Sequence, residues 1–131
     1  KQRFLANLPS LANLKNRVTR AAEKGHIKGL DGRKIFIRST HSALNALLQG
    51  AGAIVMKKAL QFLNEYIIEK NLDAHFVANI HDEWQIEVAE KDAKEVGKLG
   101  ILAIKNAGLS FDMKCPLDGE YHIGDNWNET H

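Results

Sequence analysis

The feature that most constrains the fold of this chain is a long and mostly apolar segment near its middle. Ser39 or Thr40 can cap the start of a helix there, and the helical pattern continues to about Glu69. Its apolar residues recur at spacings of three and four; they are Leu44, Leu47, Leu48, Ala51, Ile54, Val55, Leu63 and Ile67. Such a helix would be about 40 Å long, so the neighbouring elements must pack along it.

Polar residues interrupt even the most apolar part of this segment, which runs from Ala43 to Leu63; they are Asn45, Gln49, Lys57, Lys58 and Gln61. No uninterrupted apolar run reaches the roughly 20 residues that a membrane span requires. Cys115 is the only cysteine, which excludes an internal disulfide and favours a reducing compartment.

Two pairs of short β-prone segments flank the long helix. In the first pair, Asp31 and Gly32 predict a hairpin with a type I′ turn, in which both central residues have positive φ. In the second pair, His75–Ile80 and Trp84–Val88 predict two strands joined by a tight turn. Alternate residues of Trp84–Val88 are apolar, so one face of this strand is expected to be buried and the other exposed to water.

Helices are predicted towards both ends of the chain. Pro9 interrupts an amphipathic pattern that begins at Phe4, and a second helix is expected from about Ser10. Near the other end, Lys91–Ala107 predicts a helix that Gly108 terminates.

The final part of the chain is expected to hold one more strand. Phe111, Met113 and Cys115 alternate with polar residues and predict it, with Cys115 filling the core, and an irregular tail follows. With no repeat or linker, the predicted fold class is α+β, in which a long helix packs on antiparallel hairpins with helices at the N-terminal end.

Charge is distributed unevenly along the chain. Residues 1–40 contain ten lysines and arginines and two acids, a net charge of +8, whereas residues 41–131 contain eight basic and fourteen acidic side chains, a net charge of −6. This division suits a protein that binds a polyanion with one part and cations with the other, although a solvated basic surface is the simpler explanation. The chain begins with Lys1 rather than Met, which suggests a fragment or a processed product.

Three ionisable residues, His81, Asp82 and Glu83, lie where the second pair of strands reverses direction. Turn chemistry alone would favour Asn-Gly or Asp-Gly at such a place. A carboxylate on a rigid hairpin tip can hold Mg²⁺, which prefers one or two carboxylates together with substrate phosphates. Adjacent residues of a strand point to opposite faces, so we expect Asp82 to bind the metal directly and Glu83 to support it. The alternative is an ordinary charged surface turn.

A second candidate site lies on the long helix. His41, Asn45 and Gln49 are four residues apart and would form one polar line along an otherwise apolar rod. All three can donate hydrogen bonds, and every base pair presents acceptors in the minor groove. A row of donors can therefore contact a duplex without reading its sequence, and Gly50 and Gly52 would allow close approach of a backbone. The alternative is the solvent-facing stripe of any amphipathic helix.

Other kinds of site find little support in the sequence. The six histidines have no spacing typical of zinc ligands. No serine or cysteine is accompanied by a recognisable base, and the glycines form no loop of the kind that binds phosphate.

Taken together, these features resemble the family A DNA polymerases, most closely the replicative enzymes of short-tailed phages. The resemblance covers essentially the whole chain, and its motifs occur in the family's order. The matching stretches are Arg3–Pro9, Ile27–Lys34 with Arg38 and Ser39, Ala43–Ala53, His81–Glu83, and Gly124–Trp127 with the terminal His131. In that comparison, residues 1–25 correspond to the end of the fingers helices and residues 26–131 to part of the palm, and the whole forms one unit.

The resemblance implies roles for the acidic turn. Asp82 is similar to the palm aspartate that binds catalytic Mg²⁺, Glu83 lies beside it, and His81 is similar to the residue near the primer 3′ end. The implied reaction is attack of the primer 3′-hydroxyl on the α-phosphate of a deoxynucleoside triphosphate (dNTP). Two Mg²⁺ ions about 3.5–4 Å apart would hold the attacking and leaving oxygens.

The resemblance also implies contacts with primer-template DNA. Asn45 and Gln49 are similar to minor-groove contacts, and His41 occupies a position where bacterial polymerases I use Arg and the phage enzymes share the His. Charge adds a set of expected phosphate contacts, namely Arg33, Lys34 and Arg38. The expected location is the cytoplasm, which would be that of the host cell if a phage encodes the chain.

Some residues that the family requires are not found in this sequence. A second palm aspartate followed by Glu and Arg is missing, and neither Tyr66 nor Tyr121 precedes a glycine as the fingers tyrosine would. We therefore expect the chain to be inactive alone and to need the remaining N-terminal polymerase portion, in the same or a separate chain. A non-catalytic duplex-DNA-binding module derived from such a polymerase is the main alternative, and a metal-dependent nuclease is a weaker one.

Overall fold

The computed structural model describes residues 7–130. The start of the amphipathic pattern at Phe4, most of the Arg3–Pro9 motif and His131 lie outside these residues. The described residues form two compact units, 7–52 and 53–130, and the long helix contributes to both. Within residues 7–130, none of the helices combines the length and apolar character that crossing a membrane requires.

The first unit contains one helix, one hairpin and the start of the long helix. Helix α1 (Pro9–Ala22) begins at Pro9, close to the start predicted near Ser10. Proline suits the first turn because it has no N–H, and an N–H there would have no partner within the helix. Strands β1 (His26–Lys28) and β2 (Lys34–Phe36) pair antiparallel. The core of this unit consists of Val18, Ala22, Ile27 and Ala43, with Leu14, Ile35, Ile37, Leu44 and Leu47 packed against it.

The first hairpin is confirmed, but its turn differs from the predicted type I′ turn. Only Gly32 has positive φ, at +85°. The Gly32 N–H donates to the Gly29 carbonyl at 3.0 Å, and the Gly29 N–H donates to the Arg33 carbonyl at 2.8 Å. This pattern is that of a three-residue loop whose last residue is a left-handed glycine. Asp31 therefore avoids the positive φ that a two-residue loop would impose on it.

The long helix, α2 (Ala43–Glu69), has 27 residues and follows a 3₁₀ turn at Thr40–Ser42. Ser39 precedes that turn, but its side chain makes no capping bond; instead the Ser42 hydroxyl donates to the Ser39 carbonyl at 2.7 Å. At the other end, Asn71 is left-handed at φ +50°. The Leu72 N–H donates to the Ile67 carbonyl at 3.0 Å, which closes a Schellman cap.

Strands β3 (Ala74–Ile80) and β4 (Glu83–Val88) form the second hairpin, in the second unit. The register shifts by one residue between Phe76 and Ala78, so Val77 is an extra, bulged residue in β3. The alternation of burial predicted for β4 is not found at its start, where four consecutive residues are half-buried. Burial alternates instead along β3.

Helix α3 (Ala93–Ser110) is longer at its end than the sequence predicted. Gly108 lies inside the helix and is buried, so it does not terminate it. The terminating residue is Asp112, at φ +52°. The Met113 N–H donates to the Gly108 carbonyl at 3.1 Å and the Asp112 N–H to the Leu109 carbonyl at 3.0 Å, which is a second Schellman cap.

The predicted last strand is wrong. Phe111 and Met113 belong to the helix cap, and the following residues are irregular up to a one-turn helix, α4 (Trp127–Thr130). Cys115 is exposed and does not fill the core. Within the described residues this segment pairs with no strand, and the N–H groups of Phe111, Asp112 and Met113 are used in the helix cap.

Helices α2 and α3 provide the core of the second unit. Their buried residues are Val55, Ala59, Leu63, Ile67, Ala93, Val96, Leu99, Ala103 and Ala107. Asn106 donates to the Tyr66 hydroxyl at 2.7 Å, and Lys70 pairs with Glu95 at 2.9 Å. Leu48, which was expected on an apolar face of α2 and lies in its first-unit part, is exposed.

The irregular tail packs closely on the glycines of α3. A Cβ on Gly108 would lie 2.9 Å from Leu117 Cγ, and one on Gly97 would lie 2.4 Å from the Tyr121 ring. Glycine lowers helix stability by about 1 kcal/mol relative to alanine. These two glycines are therefore explained by the close approach of the tail, which a side chain would prevent.

We predict that Gly108→Ala lowers the free energy of unfolding by about 1–3 kcal/mol, because the new methyl group overlaps Leu117. Urea denaturation followed by circular dichroism would measure the change. Gly100→Ala in the same helix is the matched control, since its nearest atom would be Leu63 Cδ2 at 3.9 Å. That variant should gain up to about 1 kcal/mol from helix propensity, and equal losses in both variants would contradict the packing explanation.

Candidate functional sites

The acidic turn is a two-residue loop between β3 and β4. Ile80 pairs with Glu83 across the strands, which leaves only His81 and Asp82 to reverse the chain. Glu83 is therefore the first residue of β4 and not a turn residue as the sequence suggested. Asp82 is exposed and Glu83 is half-buried, so the two neighbouring carboxylates have different surroundings.

His81 has a left-handed backbone conformation, with φ at +53°. This conformation costs a residue with a Cβ roughly 1–2 kcal/mol relative to the usual regions. Glycine would avoid that cost, so a histidine here indicates that the side chain is retained for a reason other than turn formation. The short loop holds Asp82 at the exposed end of two paired strands.

Glu83 is held by a neighbour that the sequence did not single out. The Gln85 amide, Nε2, donates to Glu83 Oε1, and the Thr130 hydroxyl donates to Gln85 Oε1 at 3.2 Å. The only sequence signal for Gln85 is its position two residues after Glu83 on the same strand face. Thr130 gives no such signal, because its contact with Gln85 joins residues 45 positions apart.

The donors at this tip suit a hard cation. Asp82 and Glu83 supply carboxylate oxygens, which are the ligands that Mg²⁺ prefers. Within residues 7–130, the structure places no group of three or more His, Cys, Asp or Glu side chains where they could hold a metal ion. The two carboxylates of the tip can supply part of the oxygen shell that Mg²⁺ prefers.

The second candidate site lies entirely in the first unit. Asn45 and Gln49 are exposed one turn apart on α2, as the spacing predicted. His41 is also exposed, but it lies in the 3₁₀ turn before the helix, so the helical spacing applies only to the two amides. The Ile35 side chain lies close to the backbone at Gly50, where a Cβ would be 3.3 Å from Ile35 Cδ1. Gly52 faces open space.

The basic residues of this unit lie on and after the first hairpin. Arg33, Lys34 and Arg38 are all exposed. Arg33 forms an ion pair with Asp31. Burial raises the pKa of the Asp31 carboxyl, but hydrogen bonds from the Arg33 N–H and guanidinium outweigh this and leave the pKa below its ordinary value. Part of the charge of Arg33 is thus already compensated.

Lys34 is different, because it lies directly opposite Lys28 in the strand register. Both side chains are exposed. Like charges placed opposite each other destabilise an antiparallel pair. An anion bound at this face would remove the repulsion, which makes Lys34 a stronger candidate for a phosphate contact than Arg33.

Comparison with known proteins identifies the family. The model of DNA polymerase family A matches residues 2–129, almost the whole chain. The chain belongs to DNA polymerase family A. This confirms the family that the five motifs resembled.

The relatives of this family A chain include polymerases from phages and bacteria. It is 42% identical to a DNA-directed DNA polymerase of Escherichia phage Phieco32 and 35% identical to one of Enterobacteria phage T3. These alignments cover 98% and 100% of this chain but 22% of each relative. The chain is also 32% identical to DNA polymerase I of Pseudomonas aeruginosa, over 98% of this chain and 15% of that protein. The identities to phage polymerases confirm the predicted phage type, and the chain spans about a fifth of their length.

A solved structure has the same fold. It is the POL domain of Pol1 from M. smegmatis in complex with DNA primer-template and dNTP. The superposition has a TM-score of 0.72 with 23% sequence identity and covers 81% of this family A chain and 21% of that domain's chain. The predicted α+β fold class is confirmed.

We predict that His81→Gly raises the free energy of unfolding by about 1 kcal/mol, because glycine adopts positive φ without the steric cost that His81 bears. Urea denaturation would measure the gain. His75→Gly is the matched control: His75 is exposed in the extended part of β3, where glycine should lower the free energy by about 0.5–1 kcal/mol. A loss of stability in both variants would show that the His81 conformation is not strained.

Proposed function

We propose that this chain supplies one metal-binding motif and the duplex contacts of a DNA-directed DNA polymerase that transfers nucleotides from dNTPs to a primer. The single observation that supports this most is the position of Asp82 at the tip of a two-residue hairpin, beside a carboxylate that other side chains hold in place. A surface turn with no function would not require the strained His81 or the tethered Glu83.

In this proposal Asp82 is the direct ligand of Mg²⁺, Glu83 supports it and His81 lies near the primer 3′ end. A bound Mg²⁺ would supply positive charge for the phosphate oxygens and for the attacking hydroxyl. The chain's own contribution is to fix its carboxylates on a rigid hairpin. Phosphoryl transfer depends mainly on such positioning and charge compensation.

The first unit would hold the primer-template duplex. Asn45 and Gln49, exposed one turn apart, can donate to minor-groove acceptors, and His41 extends the row from the 3₁₀ turn. Lys34 and Arg38 would contact phosphates, with Arg33 contributing less because of its ion pair with Asp31. These contacts do not depend on base sequence, which suits a polymerase.

The polymerase activity would belong to an assembly larger than these 131 residues. The phage relatives are about five times as long as the part that matches. We infer that the remaining polymerase portion, in the same or a separate chain, supplies further carboxylates and the fingers residues that contact dNTP. The boundary proposed between fingers and palm, near residue 25, remains a prediction.

We predict that Asp82→Asn lowers primer extension about a thousandfold, because several kcal/mol of metal-mediated charge stabilisation are lost. The measurement is Mg²⁺-dependent extension of a labelled primer by a polymerase that contains this chain together with the remaining family A portion. The circular dichroism spectrum and the melting temperature should stay close to those of the unchanged protein, since Asp82 is exposed.

Asp73→Asn is the matched control for this prediction. Asp73 precedes β3, and its exposed carboxylate pairs with His75. Its loss should leave extension unchanged within about twofold. Full extension by Asp82→Asn would refute the metal assignment, and equal losses in both variants would indicate a general charge effect.

A non-catalytic duplex-binding module is the second candidate function, and the two exposed lysines that face each other, Lys28 and Lys34, support it. Both functions predict that Lys34 binds phosphate and that Asn45 does not. We predict that Lys34→Ala reduces the slope of log affinity against log salt by about 0.9, the value for one phosphate contact. Asn45→Ala should weaken binding about threefold to tenfold with the slope unchanged. Fluorescence anisotropy of a labelled primer-template, titrated at several salt concentrations, measures both.

Lys98→Ala on α3 is the matched control for Lys34→Ala, because Lys98 is also exposed but lies in the second unit. Equal slope changes for the two lysines would contradict a specific phosphate contact. Salt-sensitive binding that persists in an assembly incapable of extension would favour the module over the polymerase.

A further inference from the structure

The last described residues form a turn that is closed by its own side chains. The Glu129 carboxylate accepts the Asp125 N–H at 2.9 Å and the Asn126 side-chain amide at 2.7 Å. A Cβ on Gly124 would lie 2.6 Å from Glu129 Cβ, so the backbone passes too close for any larger residue. The residues of the C-terminal turn, Gly124–Thr130, are therefore held together by their own hydrogen bonds and packing.

This turn reaches the acidic tip through one hydroxyl. Thr130 Oγ1 donates to Gln85 Oε1 at 3.2 Å and also lies 3.2 Å from the Trp127 carbonyl, within its own helix α4. The Gln85 amide then donates to Glu83 Oε1. A continuous chain of hydrogen bonds thus joins Thr130, Gln85 and Glu83.

Which group donates and which accepts in these hydrogen bonds depends on the chemistry of the three side chains. An ionised Glu83 can only accept hydrogen bonds. If the Gln85 amide were reversed, its oxygen would face the carboxylate oxygen and the contact would become repulsive. A hydroxyl that donates to Gln85 Oε1 favours the orientation in which Nε2 faces Glu83. Glu83 and Thr130 therefore favour the same orientation of Gln85, in which Nε2 faces the carboxylate.

We propose that Gln85 is a positioning residue for the acidic tip and that Thr130 orients it, so that docking of the C-terminal turn makes the tip ready for a divalent cation. This proposal rests on the proposed role of Asp82 and Glu83 in metal binding. Gln85 contacts neither cation nor substrate and acts only through Glu83.

The physical benefit is preorganisation of two neighbouring negative charges. Asp82 and Glu83 repel each other, and a freely rotating Glu83 would turn away from Asp82 into water. The amide donor compensates part of the Glu83 charge and restricts its rotation, so less free energy is lost when a cation binds Asp82 with Glu83 beside it. Groups that hold metal ligands in this way change metal affinity by about 10–100-fold when they are removed.

The test uses a polymerase that contains this chain together with the remaining family A portion. Gln85→Leu keeps the side-chain size but removes the amide, and Thr130→Val removes only the hydroxyl. We expect the Mg²⁺ concentration for half-maximal primer extension to rise about tenfold in Gln85→Leu and about threefold in Thr130→Val. Excess Mg²⁺ should restore the rate of both, and Thr130→Ser should restore the normal Mg²⁺ dependence because it keeps the hydroxyl.

A second measurement does not depend on activity. Electron paramagnetic resonance of Mn²⁺ alone, titrated into the same proteins, should show weaker binding in Gln85→Leu and Thr130→Val by the same factors. Glu87→Gln is the matched control, because Glu87 is exposed on the same strand and beyond this chain of bonds. It should leave both readouts unchanged.

The outcomes separate this proposal from the proposed function. If Asp82→Asn abolishes extension while Gln85→Leu and Thr130→Val leave the Mg²⁺ and Mn²⁺ dependences unchanged, the positioning role is refuted and the polymerase assignment stands. A loss of rate that excess Mg²⁺ does not restore would show a merely structural role and would also refute it. Full extension by Asp82→Asn refutes the proposed function, and with it the positioning role that rests on it.

Discussion

The reversal of β3 into β4 within two residues is the constraint on which the geometry of the acidic tip depends. Because Ile80 pairs with Glu83, only His81 and Asp82 remain for the turn, and His81 must adopt positive φ. The same register places Glu83 inside the strand, where residues two apart share a face. Gln85 can reach Glu83 for that reason alone. A hairpin longer by one residue would move Glu83 into the loop and remove this contact.

The packing of the tail connects this local geometry to the rest of the second unit. Glycines in α3 let Leu117 and Tyr121 lie against the helix backbone, at the cost of helix propensity. The path of the tail along α3 brings the chain to the C-terminal turn, and Thr130 meets Gln85 there. Residues far from the carboxylates therefore influence the surroundings of the carboxylates through packing, since densely packed protein interiors transmit small displacements.

The sequence predicted the elements whose signals are local and missed those that depend on contacts. Periodicity located α2 and the second hairpin, the Asp31-Gly32 turn signal located the first hairpin, and the motifs identified the family. The strand expected at Phe111–Cys115 fails because alternation carries no information about a partner strand. Gly108 was read as a helix stop, yet Asp112 adopts the left-handed conformation and Gly108 serves packing. Asp82 could be named from its motif, whereas the contact of Gln85 with Thr130 follows only from the fold.

Charge explains why cation binding and duplex binding would assist each other in the proposed polymerase. The region that carries Asp82 and Glu83 has an excess of acids, with a net charge of −6 over residues 41–131, so by itself it repels a polyanion. A divalent cation at the tip would reduce this repulsion locally, and an approaching phosphate would in turn complete the cation's oxygen shell. Linkage requires the two effects to be equal in free energy. In the proposed polymerase the acidic tip would thus repel DNA phosphate until a cation is bound, while the basic first unit would attract the duplex without one.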